Sequence, residues 1–216
     1  MSQFKPVLAS PDLFKRKGLI SFLGIVSALS IHEQARAGAQ IEEPLVDSVR
    51  TALSASVANQ APPNPEFNDT ESRLNYLRWL GAMGERLKHK KPEWLVRKEF
   101  LQTVWYESRR AGLEPSLVLG LIQVESNFRK FAVSSMGARG YMQVMPFWAR
   151  VIGDGDASRL FHMQTNLRFG CVILRHYQER ERGDLFMALG RYNGSRGKSL
   201  YPDAVFGASR QWELTS

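Results

Sequence analysis

Four residues, Val118, Leu121, Ile122 and Glu125, follow one another at i, i+3, i+4 and i+7. On a helix this spacing puts a carboxylate on the same stripe as residues that face a core. A charge there is costly. Desolvation raises the pKa of a carboxyl group, and the negative pole of a helix C-terminus acts in the same direction, so Glu125 is expected to hold its proton near neutral pH. That is the requirement on a general acid for glycosidic cleavage. Two plainer readings stay open on spacing alone: the side chain reaches out to solvent, or it pairs with Arg129, four residues on.

Other candidate chemistry is thinner. Cys171 is the only cysteine, so neither an intramolecular disulfide nor a cysteine metal cage can form. Leu167, Gly170, Cys171 and Leu174 describe one helical face, which predicts a buried thiol acting as a small hydrophobe rather than a nucleophile. His32, His89, His162 and His176 have no ligand spacing, and no metal or cofactor is expected. Asp154 and Asp156, in Gly153-Asp154-Gly155-Asp156, offer a second carboxylate or simply a turn.

The text around Glu125 adds more. Glu125-Ser126-Asn127-Phe128 is followed by the run Gly137-Ala138-Arg139-Gly140-Tyr141-Met142-Gln143-Val144-Met145-Pro146, and then by Arg191-Tyr192-Asn193-Gly194. In order and separation these three stretches resemble the successive motifs of the lytic transglycosylases, bacterial relatives of goose-type lysozyme, over residues 93–208. The resemblance implies that Glu125 is the catalytic carboxyl, with Ser126 completing the Glu-Ser pair. It implies that Ser134 contacts sugar near the reacting centre and that Met142 and Gln143 line the groove. It implies further that Tyr192 and Asn193 form the Tyr-Asn pair, with the Tyr192 hydroxyl close to the catalytic Glu. Tyr141 and Arg191 depart from the family, which usually has Leu and Ala there. Both are bulkier, so a narrower or charged groove is expected.

The activity implied is non-hydrolytic cleavage of peptidoglycan at the β-1,4 bond between N-acetylmuramic acid and N-acetylglucosamine. One Glu acts first as acid and then as base, and the product ends in 1,6-anhydro-muramic acid. Ordinary glycoside hydrolysis instead uses two carboxylates. The alternatives are a hydrolytic muramidase, with Asp154 or Asp156 as second carboxylate, and a non-catalytic peptidoglycan-binding or assembly protein. The implied partners are glycan strands and proteins of the envelope or of wall remodelling, not nucleic acid.

The elements that must position these residues are helices. Helical patterning predicts segments over about 71–88, from Pro92 to Gly112, over 116–127, from a cap at Thr165 to Gly183, and from Asp184 to Tyr192. Residues 128–146 are turn-rich and predict a loop or small hairpin. The fold class is therefore mainly α, and the resemblance implies a lysozyme-like helical domain with a small loop or hairpin lobe over residues 93–216, preceded by a helical extension over 38–92. Within that extension, residues 58–70 carry Ala61-Pro62-Pro63-Asn64-Pro65 and predict a linker.

Ahead of it, Lys15, Arg16 and Lys17 precede an apolar run over 18–31, then Ala35-Arg36-Ala37. This is the order of a signal peptide over residues 1–37, cleaved after Ala37 or Ala39, with an uncleaved anchor as the alternative. A periplasmic or secreted location follows. The net charge of +8 favours an anionic partner, and export favours the envelope over nucleic acid.

Overall fold

Asp69 starts the first long helix of the domain because its carboxylate accepts the Ser72 N–H at 2.6 Å, satisfying a donor with no partner inside the helix. The computed structural model describes residues 40–58 and 65–214. The predicted signal peptide and its cleavage sites, and residues 59–64 of the predicted linker, lie outside the described residues. The elements are α1 (Asp47–Ala58), α2 (Thr70–Arg86), α3 (Trp94–Arg110), α4 (Pro115–Ser126), α5 (Pro146–Ile152), α6 (Met163–Arg180), α7 (Leu185–Asn193) and α8 (Leu200–Ser209). Short 3-10 turns occupy Ala157–Phe161 and Arg210–Trp212. The fold is mainly α, and no helix among the described residues is long and apolar enough to cross a membrane.

The five predicted helices form, with small shifts. The fourth starts at Met163 rather than at Thr165, after the extended residue His162 that separates it from the 3-10 turn over Ala157–Phe161. Residues 47–58 form a full helix that buries Leu53 and Val57. Periodicity did not mark α5 and α8. The first is only seven residues long and opens on Pro146, and the second carries Pro202 in its first turn and Gly207 near its end, so both read locally as breaks. The predicted hairpin is a minimal one: Arg139 bridges Val133 on one side and Val144 on the other.

α4 runs through the centre. Val118, Leu119, Leu121 and Ile122 are all fully buried, and each such side chain contributes about 1.5–3 kcal/mol of transfer free energy. Against α4 lies α8, which runs in the opposite direction: Gly120 touches Ser209, while Glu125 meets Tyr201. The C-terminal turn closes the same face, with Trp212 donating from Nε1 to Gln123 at 2.7 Å. Arg86 of α2 clasps that turn through the carbonyls of Gln211 and Glu213. α2 also joins α3 through Tyr76, Trp79 and Trp105, with the two tryptophan ring centroids 4.8 Å apart. Between α3 and α6, Glu107 and Arg168 form a buried ion pair at 2.7 Å. Breaking one partner of such a pair is far more damaging than its presence is stabilising.

The α4–α8 approach gives a direct test. A Cβ at Gly120 would lie 2.6 Å from the Ser209 backbone nitrogen and 2.7 Å from its Cα, so the helices would have to part. Gly120→Ala is expected to cost about 1–3 kcal/mol of unfolding free energy in urea titration. Unchanged stability would mean that α8 is not held this closely.

Candidate active site

Glu125 is 5% exposed, so of the two plain readings the solvent-reaching one is overturned. Helix α4 ends one residue later, where Asn127 takes a left-handed conformation (φ 48) and Phe128 a second one (φ 64). Two such residues in a row turn the chain sharply. Arg129 then donates from Nε to the Ser126 carbonyl at 3.0 Å, capping the helix end.

The hydroxyl that reaches the carboxylate belongs to Tyr201, 76 residues away, which donates to Glu125 Oε1 at 2.5 Å. Sequence reasoning missed this residue. Tyr201 lies in Leu200-Tyr201-Pro202, where no periodic pattern announces a helix, and only the α4–α8 packing brings it to Glu125. Its hydroxyl titrates well above the ordinary tyrosine range, first because it is buried and then because Glu125 is beside it. It remains a donor at any working pH.

The other predicted residues surround this pair, and much of their polar capacity is spent on backbone. Ser126 is buried and donates to the Tyr141 carbonyl at 2.7 Å and to Ile122 at 3.1 Å, tying α4 to the hairpin lobe. Ser134, half-buried, accepts from the amides of Met136 and Ala138 and so shapes the turn at Gly137. Met142 is fully buried, and Tyr192, also fully buried, donates to its carbonyl at 2.7 Å. Gln143 has a left-handed backbone (φ 49), and its amide donates to the carbonyls of Ala132 and Gly140. Asn193 is 5% exposed and donates to Ser195 at 3.0 Å. Its Oδ1 is buried with no hydrogen-bond partner among the described residues.

Burial raises the Tyr192 hydroxyl well above its ordinary range, with Glu125 the next contributor, which puts the third motif within electrostatic reach of the carboxylate. A second residue without a sequence signal, Asn166 of α6, holds the lobe. Its Oδ1 accepts the Met142 amide, and its Nδ2 donates to the carbonyls of Arg139 and Leu160, each at 2.8 Å. Gly140 makes this possible, since a Cβ there would lie 2.7 Å from the Leu160 carbonyl oxygen.

Neither family departure leaves its side chain exposed. Tyr141 is 3% exposed and accepts a hydrogen bond from Lys91 Nζ at 2.8 Å. Arg191 is held by Glu181 and by Glu43, the latter at 2.8 Å. Instead of a bare charge, the structure shows an internal ion-pair cluster, in which Arg196 and Arg191 hold Glu181 down to about 2. Asp154 and Asp156 are exposed turn residues. Asp156 caps the Ala157–Phe161 turn through Ser158, and Asp154 accepts from the Asp156 amide and pairs with Arg159; these bonds keep both carboxyls below their ordinary range. Cys171 is buried, and burial pushes its thiol well up, which leaves it inert as a nucleophile.

Fold and site together define a helical protein built around a buried carboxylate that a distant tyrosine grips and a small hairpin lobe adjoins. Comparison with known proteins agrees. The Transglycosylase SLT domain family matches residues 103–212, and the chain belongs to that family. It is 38% identical over 85 residues to the membrane-bound lytic murein transglycosylase C of Actinobacillus pleuropneumoniae serotype 5b, covering 36% of this chain and 23% of that protein. Its counterpart in Mannheimia succiniciproducens is 44% identical over 85 residues, covering 36% and 24%. The transglycosylase of Enterobacteria phage PRD1 is 32% identical over 101 residues, covering 47% and 37%. The chain thus matches less than two fifths of the length of each of these relatives. Among solved structures, an inactive mutant of the lytic transglycosylase Slt from Pseudomonas aeruginosa gives a TM-score of 0.41 at 22% identity, covering 65% of this chain and 27% of that one.

The Lys91–Tyr141 pair makes a pH prediction. Burial, then Lys130, brings Lys91 down to about 8 from 10.5, while burial, then Glu99, pushes Tyr141 up to about 12 from 10.0. Between pH 8 and 10 the unfolded chain binds the Lys91 proton more tightly than the folded one, so this lysine makes stability rise with pH over that window. Above pH 10, Tyr141 reverses the trend, because the folded state then holds the extra proton. Urea titrations at pH 7.5 and 9.5 are expected to show a rise in wild type that is flattened in Lys91→Met; equal slopes in both proteins would contradict it.

Proposed function

We propose that this protein is a peptidoglycan lytic transglycosylase in which Glu125 serves as both acid and base. The observation that carries this reading is the Glu125–Tyr201 contact. It is a carboxylate 5% exposed at the end of an apolar helix, gripped at one oxygen by a 2.5 Å hydrogen bond, in a chain of the SLT family.

In the proposed reaction Glu125 gives its proton to the oxygen leaving C1 of N-acetylmuramic acid, and the sugar's own N-acetyl group stabilises the cation that forms. The carboxylate left behind then takes the proton of the 6-hydroxyl as that oxygen closes on C1. No water is consumed, and Glu125 ends protonated, as it began. A hydroxyl already tethered within reach outcompetes water through its effective concentration. Tyr201 holds the carboxylate in one orientation through both transfers. Asn193, with a buried acceptor oxygen, is a contact for a substrate N–H, because such an atom left unmatched is costly. Ser126, Gln143 and Tyr192 act on the substrate chiefly by fixing the backbone of the lobe, Met142 by lining its base, and Ser134 from the turn. No second carboxylate takes part: Asp154 and Asp156 are occupied in the turn, and buried Glu107 is paired with Arg168.

The location proposed is the cell envelope, reached through cleavage of residues 1–37, with glycan strands as the partner. Envelope proteins of wall remodelling are further candidates.

Three experiments test this. Digested peptidoglycan analysed by mass is expected to show glycan ends one water lighter than ordinary reducing ends, and Glu125→Gln is expected to keep glycan binding while losing lysis. Ordinary reducing ends would instead identify a muramidase, and full lysis by Glu125→Gln would remove that residue from the chemistry. Tyr201→Phe keeps the ring in place and removes one donor, and is expected to lower kcat by about a hundredfold. An unchanged kcat would leave Tyr201 as packing only.

A further inference from the structure

Residues 40–46 precede α1 and fall outside the span that the SLT family matches. Two of their side chains nevertheless close on residues of the second and third motif stretches, Met145 and Arg191. Gln40 is 5% exposed, although it lies in extended chain. Its Oε1 accepts from Trp148 Nε1 at 3.0 Å and from the Met145 amide at 3.4 Å. Met145 lies two residues beyond Gln143. The Gln40 side chain's Nε2 is buried with no hydrogen-bond partner among the described residues.

Three residues on, Glu43 meets Arg191 at 2.8 Å and Arg180 at 2.5 Å. Arg191 immediately precedes Tyr192 and Asn193. Leu45 packs on the core, and Glu42 meets Arg150 on the surface at 3.5 Å. Exposed pairs such as the last contribute little. The buried Gln40 contacts and the partly buried Glu43–Arg191 pair are of a different kind.

We infer that residues 40–46 form a strap that positions the second and third motifs around Glu125, with Gln40 and Glu43 as its positioning residues. The physical reason is that these motifs sit on separate elements, the hairpin lobe leading into α5 and the end of α7. Between them the Tyr192–Met142 bond supplies one direct link. Gln40 grips the Met145–Trp148 corner from outside, while Glu43 fixes the turn of helix that carries Tyr192 and Asn193. Displacement of a positioning group by an ångström is enough to slow an enzyme strongly while leaving the fold intact. The unit required for full activity therefore reaches back to residue 40, well ahead of position 93.

The catalytic half of the test rests on the activity proposed above, and the other half does not. Gln40→Met removes the accepting oxygen at similar size. It is expected to lower kcat on soluble glycan strands about tenfold and to change KM less than about twofold. Added to Glu125→Gln, it should leave glycan affinity unchanged. Hydrogen exchange followed by mass spectrometry should rise about tenfold in residues 142–148 and 190–194, with α3 and α4 unaltered. Glu43→Gln, at a partly exposed position, should show the same pattern more weakly and serves if Gln40→Met fails to fold. Unchanged exchange in both segments, or unchanged kcat with raised exchange, would overturn the strap as a positioning device. If wild type fails to turn over peptidoglycan, the proposed activity falls, and the exchange measurement still decides the strap.

Discussion

A carboxylate on the apolar stripe of a central helix is the constraint around which this structure is organised. Glu125 cannot be left among Val118, Leu121 and Ile122 without a polar partner, because an isolated buried charge costs several kcal/mol or more. The fold supplies one by laying α8 antiparallel to α4, close enough at Gly120 that no side chain fits, so that Tyr201 arrives with its hydroxyl 2.5 Å from the carboxylate. The clasp between α2 and the Arg210–Trp212 turn and the Trp212–Gln123 bond hold that second helix in place.

The hairpin lobe faces a different difficulty. It is too short to pair its own backbone as a sheet, and its amides and carbonyls must find partners elsewhere. Side chains fill that role. Asn166 takes two backbone groups of the lobe and a third from Leu160 of the 3-10 turn, Gln143 two, Ser126 one and Tyr192 one. Several polar residues with the look of substrate contacts therefore act first on the lobe itself, and bring its shape to bear on whatever lies beside Glu125.

The two residues that depart from the family pattern illustrate how local novelty is absorbed. Tyr141 is bulkier than the usual Leu, and its hydroxyl is met by Lys91, whose ammonium also lies over the rings of Phe100 and Tyr141 at 4.8 and 4.6 Å. Arg191 replaces a small residue, and its charge is matched by Glu181 and Glu43. Of the three compensating residues, Glu181 lies within the family match, and Lys91 and Glu43 come from the region ahead of it. That region carries no motif of its own, yet it is integral to the packing.

By itself, the sequence determined what depends on neighbours along the chain. Helical periodicity and capping residues such as Asp69 and Asp184 marked five helices to within a few residues, and the turn-rich stretch after Phe128 marked the lobe. The spacing that set Glu125 on an apolar stripe, with the motifs around it, singled out the candidate carboxylate. Tertiary structure decided the rest. α5, seven residues opening on Pro146, is too short to show a period, and Pro202 and Gly207 read as breaks within α8, so both helices were invisible, and Tyr201 with them. Whether Glu125 is buried or reaches solvent depends on what packs against α4, and a helical stripe shows only one side of that contact. Asn166 and Gln40 gave no sign because a lone amide has no pattern. Its role is set by which backbone groups from remote segments are left needing a partner, and that is fixed only when the chain has folded.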